Sequence, residues 1–211
     1  MGKEKGWDRL IYPVNSINEG APTAAMAYLW RFLSLAIAGL LLPQQIFLPA
    51  ICSVTIVFLI FEFIRLRFPQ INQRFLTCFH VLLRERETAT LTASAYFLIA
   101  ASVVFILCDK SIAAIALTFV AVGDPVAGMV GEKWGRLKAR GRSLEGNCSC
   151  FLACAVAGII LATITHVALW LAVVGAVRAA LVEFLSFPVN DNLTIPLVSA
   201  GVMSLVKLLC F

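Results

Sequence analysis

Long apolar windows separated by short polar breaks set the pattern of this chain. Windows of roughly 18 to 20 residues, the length of helix that crosses a bilayer core, run from Ala24 to Leu42, Ile46 to Ile64, Thr88 to Leu107 and Ser111 to Val130. Asn147 to Leu185 is apolar almost throughout and too long for one crossing, which predicts two helices folding back near Thr165 and His166. A last window runs from Leu193 to Phe211. The expectation is an all-α polytopic membrane protein of about seven transmembrane helices, since lipid leaves no partner for an unpaired backbone. A single membrane-embedded domain, 24–211, follows a polar segment, 1–23, and the first window is expected to remain as a span rather than to be cleaved as a signal peptide. Two places break the pattern. Gly123-Asp124-Pro125 interrupts the fourth window and predicts two half-helices, the second opening at Pro125. Phe68 to Leu83 is too polar to cross and predicts an interfacial amphipathic helix with Arg74 toward the headgroups.

Composition agrees: 61% hydrophobic residues, 14% charged residues and a mean hydropathy of +0.92 exclude an ordinary soluble domain. The net charge of +5 does not point to nucleic acid, because the basic residues sit in alternate interspan loops. Lys3, Lys5 and Arg9 precede the first window; Arg65, Arg67, Arg74, Arg84 and Arg86 follow the second; Lys133, Arg136, Lys138, Arg140 and Arg142 follow the fourth. The positive-inside rule then places the N-terminus in the cytoplasm. Of the seven cysteines most lie inside apolar runs and read as small packing residues, and Cys148, Cys150 and Cys154 have neither a nearby histidine nor a common zinc spacing.

Under this topology the polar residues at span ends collect on the cytoplasmic side: Glu62 and Arg65, Asp124, Glu145, Glu183, Asp191 and Asn192. Intramembrane carboxylates are costly and mark functional sites. In a helix starting at Pro125, Asp124, Gly128, Gly131 and Gly135 would share one face, a bare backbone ledge that admits either a ligand or a tightly packed neighbour. Phosphoryl transfer needs cations for phosphate, a carboxylate for a metal ion and a group that orients the acceptor. Lys133 and Arg142 could meet the phosphates, Asp124 the metal, and Glu62, Glu145 or Asp191 the remaining roles. Glu62, flanked by Phe61 and Phe63, would be partly desolvated and so a better base. Plainer readings stand beside these: Arg65 and Arg67 as topology determinants and headgroup contacts, Glu62 with Arg65 as a helix anchor, and Arg178 with Glu183 as a pair within one span.

Gly123-Asp-Pro-Val-Ala-Gly-Met-Val-Gly-Glu-Lys-Trp-Gly followed by Arg142-Ser-Leu-Glu-Gly resembles the signature of the CTP-dependent lipid-alcohol kinases: dolichol kinase, phytol kinase and CTP-dependent diacylglycerol kinase. Glu62-x-x-Arg65, Arg84 to Thr92, and Glu183 with Asn190 to Pro196 fit in the same order. The resemblance implies transfer of the γ-phosphoryl of CTP to a membrane alcohol with Mg2+ or another divalent cation. It implies Asp124, Glu62 and Asp191 as catalytic residues, and Gly128, Gly131, Lys133, Arg142, Ser143, Glu145, Gly146 and Asn192 around the nucleotide. It also implies Arg65 and Glu183 near the lipid, and Asp124 and Glu145 at the metal. Arg142 stands where the family usually has Lys, and Asn190 where an Asp often precedes Asp191 and Asn192. The distantly related phosphatidate cytidylyltransferases are the alternative enzyme class, and an anion transporter with a broken fourth helix the alternative outside enzymes.

Overall fold

A computed structural model describes residues 29–30, 32–79, 88–139, 142–185 and 189–210. Arg31, His80, Arg84, Arg86, Arg140 and the segment 1–23 lie outside the described residues. Among the described residues the chain is all-α apart from one short ladder. Helices α1 (Phe32–Leu41), α2 (Gln44–Arg67), α3 (Pro69–Phe79), α4 (Ala93–Leu107) and α5 (Lys110–Trp134) come first. Strands β1 (Lys138–Ala139) and β2 (Arg142–Ser143) form an antiparallel pair. Helices α6 (Leu144–Thr165), α7 (Leu169–Leu185) and α8 (Asp191–Cys210) complete it. Among the described residues, four helices, α2, α5, α6 and α8, are long and apolar enough to cross a membrane, and α1 and α4 are shorter apolar helices.

Local chemistry fixes the ends. Thr92 caps α4 by accepting from the Ala95 N–H, and Ser143 caps α6 by accepting from the Gly146 N–H at 3.0 Å. The predicted fold-back is where α6 stops: His166 takes the left-handed conformation at φ 55°, and α7 begins three residues later. Between Phe68 and Leu83 the structure forms α3, polar on one side and carrying exposed Arg74.

One expectation is overturned. Gly123-Asp124-Pro125 does not split the fourth window; α5 runs unbroken for 25 residues with Pro125 inside it. A proline removes one helical hydrogen bond, but the helix is clamped on either side of that point. Gly123 lies so close to α6 that a Cβ would sit 2.7 Å from the Cys154 sulfur and 2.9 Å from that of Cys150.

Helix α5 is the hub, packing on α6, α7 and α8, while α8 reaches across to α4, and α2 lies outside against α4 and α3. Within its most apolar stretch 67% of α5 is buried, against 22% for α2 and α6 and 28% for α8. Small residues make that possible. Ala113, Ala114, Ala116 and Ala121 are fully buried, and Gly158 of α6 and Gly175 of α7 leave just enough room for the Phe119 ring. The outer helices turn Ile, Leu, Val and Phe outward, as a lipid-facing surface would.

Candidate active site

The C-terminal end of α5, the β1–β2 hairpin, the first turn of α6 and the last turn of α7 enclose a cavity of about 460 Å³. Its lining includes Asp124, Gly128, Gly131, Glu132, Gly135, Lys138, Arg142, Ser143, Gly146, Asn147 and Glu183. Asp124 and most of the glycine-rich motif therefore meet Glu183, 59 positions further on, although α5 is continuous.

The glycine face divides between its two possible uses. Gly131 and Gly135 are packing positions: a Cβ at either would fall within 3 Å of the Ser143 hydroxyl. Gly146 is pressed against the Ala127 carbonyl in the same way, at 2.7 Å from a Cβ. Gly128 is different, because a Cβ there would meet nothing within 4 Å; it is open backbone on the cavity wall.

Arg142 of β2 binds two carboxylates from different helices, Nη1 to Glu183 at the end of α7 and Nη2 to Asp191 at the start of α8. Its side chain is 27% exposed, against 5% for Glu183 and 15% for Asp191. Glu183 thus pairs across the bundle and not with Arg178, which is exposed on α7. Asn192, beside Asp191, is buried, and its N–H donates to the Asn190 side chain at 3.0 Å. Glu145 is not part of the cavity lining. Its carboxylate accepts from the backbone N–H groups of Arg136 and Leu137 at 3.1 and 3.2 Å and so pins the loop that leads into β1. Lys133 is exposed, its ammonium 5.0 Å from the Trp134 ring; Lys138, on the hairpin, is the lysine that lines the cavity.

Glu62 and Arg65 form a separate centre, both side chains fully buried. Arg65 donates to Glu62 at 2.7 Å, to Asn72 of α3 at 2.8 Å and to the Thr90 carbonyl at 2.8 Å, and its guanidinium lies 5.0 Å from the Phe75 ring. The other Glu62 oxygen accepts from Thr92 at 2.9 Å. This network ties the end of α2 to α3 and to the start of α4, and Glu62 and Arg65 are not among the residues lining the cavity.

The donor chemistry of the cavity fits a divalent cation of the magnesium kind. Asp124 and Glu132 offer hard oxygens on one wall, and magnesium takes one or two carboxylates while keeping water and phosphate as its other ligands. A cage built wholly of protein is not what the site offers: among the described residues no group of three or more His, Cys, Asp or Glu converges. A larger cavity, about 900 Å³, lies at the opposite end, where Lys207 pairs with Asp109, but none of the sequence motifs reaches it.

Lys138, Glu132 and Asn147 were not singled out for this site by the sequence. The two-residue ladder that sets Lys138 beside the cavity is too short to leave a periodic signal, whereas Glu132 and Asn147 lie within or next to the motif itself.

The chain is 28% identical over 167 residues to the CTP-dependent diacylglycerol kinase 1 of Eremothecium gossypii, a match covering 67% of this chain and 53% of that protein. The chain thus spans about half the length of the curated relative it matches. No family profile and no solved structure matches it. The similarity supports the resemblance carried by the motifs at the level of the CTP-dependent lipid kinases, without choosing a member.

Proposed function

We propose that this chain is a membrane-embedded kinase that transfers the γ-phosphoryl of CTP to the hydroxyl of a lipid alcohol such as diacylglycerol, a polyprenol or phytol. The observation that carries the reading is the convergence of Asp124, open Gly128, Lys138 and Arg142 on one cavity, built from the same motifs that resemble these kinases. Sequence similarity to a CTP-dependent diacylglycerol kinase supports the donor and the lipid acceptor class.

In this reading Lys138 and Arg142 neutralise the triphosphate, and the bare backbone at Gly128 lets it approach α5. A divalent cation held by Asp124, with Glu132 beside it, would supply further charge neutralisation on the phosphates. The cavity opens where α5 and α7 end and α6 begins, so a lipid hydroxyl at headgroup depth reaches it while its chains stay between helices. Glu62 and Arg65 serve the site by position: with both carboxylate oxygens engaged, Glu62 braces the α2–α3 corner against α4. We place the cavity on the cytoplasmic face of a bundle of about seven spans. Arg67, Arg74, Arg136 and Lys138 lie at its end, and α1, α4 and α7 are the shorter crossings.

The test is purified protein in detergent, given γ-labelled CTP or ATP and each alcohol in turn. CDP and lipid phosphate are expected. CDP-lipid with pyrophosphate would identify a cytidylyltransferase, and no turnover of any nucleotide would remove the kinase reading.

A further inference from the structure

Among the described residues, the charged side chains at the end of the bundle away from the candidate active site all stand on one cavity. It measures about 900 Å³ and is bounded by the start of α2, the α4–α5 turn, the α6–α7 turn and the last part of α8. Asp109, Lys110 and Lys207 line it together with His166, and all four are exposed. Two lysines against one aspartate leave its wall net positive. On the topology proposed above this is the non-cytoplasmic face, where the positive-inside rule supplies no reason for cations.

We infer that this cavity seats the phosphate headgroup of an anionic phospholipid from the leaflet opposite the active site. Lys207 pairs with Asp109, and Lys110 donates to the Leu40 carbonyl at 3.5 Å, a long bond. An ammonium carries three donors, so each lysine can also meet a phosphate oxygen while keeping its present contact. His166 adds an imidazole. It is the one non-glycine residue with a positive φ, 55°, among the described residues, at a position where a helix C-terminus ordinarily has glycine or asparagine. A histidine there puts a hydrogen-bonding ring at the cavity where glycine would leave bare backbone. Helices α5 and α7 both begin at this wall, and their positive ends add to the field of the lysines.

A lipid suits this seat better than a free phosphate because much of the remaining wall is carbon. Ile112, Val167, Leu169 and Leu171 line the same cavity. Leu107 and Leu208, each next in sequence to a lining residue, are 75% and 78% exposed. A basic pocket between span ends, with apolar margins, matches a molecule that carries phosphate at one end and acyl chains at the other. The net positive wall selects an anionic headgroup over a zwitterionic one, whose choline would meet the same two lysines. A lipid seated there ties the α4–α5 and α6–α7 turns to the end of α8, bracing α5, α6 and α8 from the end opposite the candidate active site.

The experiment is photo-cross-linking of the full-length purified protein in detergent micelles doped with phosphatidylglycerol that carries a diazirine near the head of one acyl chain, with the cross-linked peptides mapped by mass spectrometry. Cross-links are expected at the α4–α5 and α6–α7 turns. Plain phosphatidylglycerol should compete for them; phosphatidylcholine and sn-glycerol 3-phosphate at the same concentration should not. Lys110→Gln combined with Lys207→Gln should lower cross-linking at these turns about tenfold, equivalent to about 1.4 kcal/mol, and leave cross-linking around α3, at the other end, unchanged. Absence of cross-links at these turns, or equal cross-linking in a double variant that melts as cooperatively as the wild type, would overturn the seat. Equal competition by phosphatidylcholine overturns its choice of an anionic headgroup, and competition by sn-glycerol 3-phosphate replaces the lipid with a soluble phosphate. If the double variant fails to fold, Lys110→Gln alone decides, because Lys110 has no ion pair among the described residues: a several-fold loss of cross-linking supports the seat and unchanged cross-linking overturns it. CTP turnover plays no part in the readout, so the result stands whatever becomes of the kinase reading.

Discussion

Arg65 and Arg142 both meet carboxylates at the same end of the bundle, yet their surroundings differ. Arg65 is wholly buried and finds Glu62 three residues away on its own helix, with Asn72 and the Thr90 carbonyl taking further donors. Arg142 is 27% exposed, stands on the wall of a cavity, and draws Glu183 and Asp191 from two other helices. A wholly buried charge bonded to its own helix, to α3 and to the residues before α4 holds structure together. Arg142 instead bridges two separately anchored helices with a cavity beside it. Burial and the presence of a neighbouring cavity, more than residue type, separate the two centres.

The largest expected effect tests the brace. Arg65→Gln strands the Glu62 carboxylate in a buried site, and losing one member of a buried pair costs about 3–5 kcal/mol. The expected readout is low yield and a clear drop in melting temperature in detergent; a variant that melts like the wild type but has lost CTP binding would reverse the comparison. Next comes Asp124→Asn, which should keep the melting temperature and lower lipid phosphorylation by about a hundredfold or more, the scale of lost transition-state charge stabilisation. Near-normal turnover across a magnesium titration would take the metal role away from Asp124. Smaller again is the contrast between lysines. Lys138→Ala should weaken CTP binding several-fold, by about 1 kcal/mol, whereas Lys133→Ala, removed from the cavity, should change it little. The smallest is Thr92→Val, which removes both the α4 cap and a hydrogen bond to Glu62; about 1 kcal/mol of stability and no change in CTP affinity are expected.

Much of this contrast can be read from the amino-acid order, and the rest cannot for physical reasons. Apolar windows of bilayer length marked where helices lie, and the run from Asn147 to Leu185 had to turn somewhere; Thr165 and His166 are where it does. Glu62 and Arg65 sit three apart, a spacing that brings side chains together on any helix, so their pairing was legible while its closure by Asn72 and Thr92 was not. Pro125 misled because its cost is local, whereas the close packing of α5 at Gly123 comes from Cys150 and Cys154 on another helix. The partners of Arg142 lie 41 and 49 residues away, and no periodicity within one helix reports on which ends of two other helices come beside it. Lys133 and Lys138 could not be told apart without knowing that α5 stops at Trp134 and that the chain then reverses.

Helix α8 packs on both α4 and α5 more extensively than those two pack on each other. During synthesis α4 and α5 emerge first, as sequence neighbours, with the Ala-rich flanks of α5 facing lipid or one another until α6, α7 and finally α8 are made. Helix α8 is therefore the wedge that seats the hub, and it carries Asp191 as its first residue. Seating of α8 against α4 and α5 and delivery of Asp191 to Arg142 are thus one structural event.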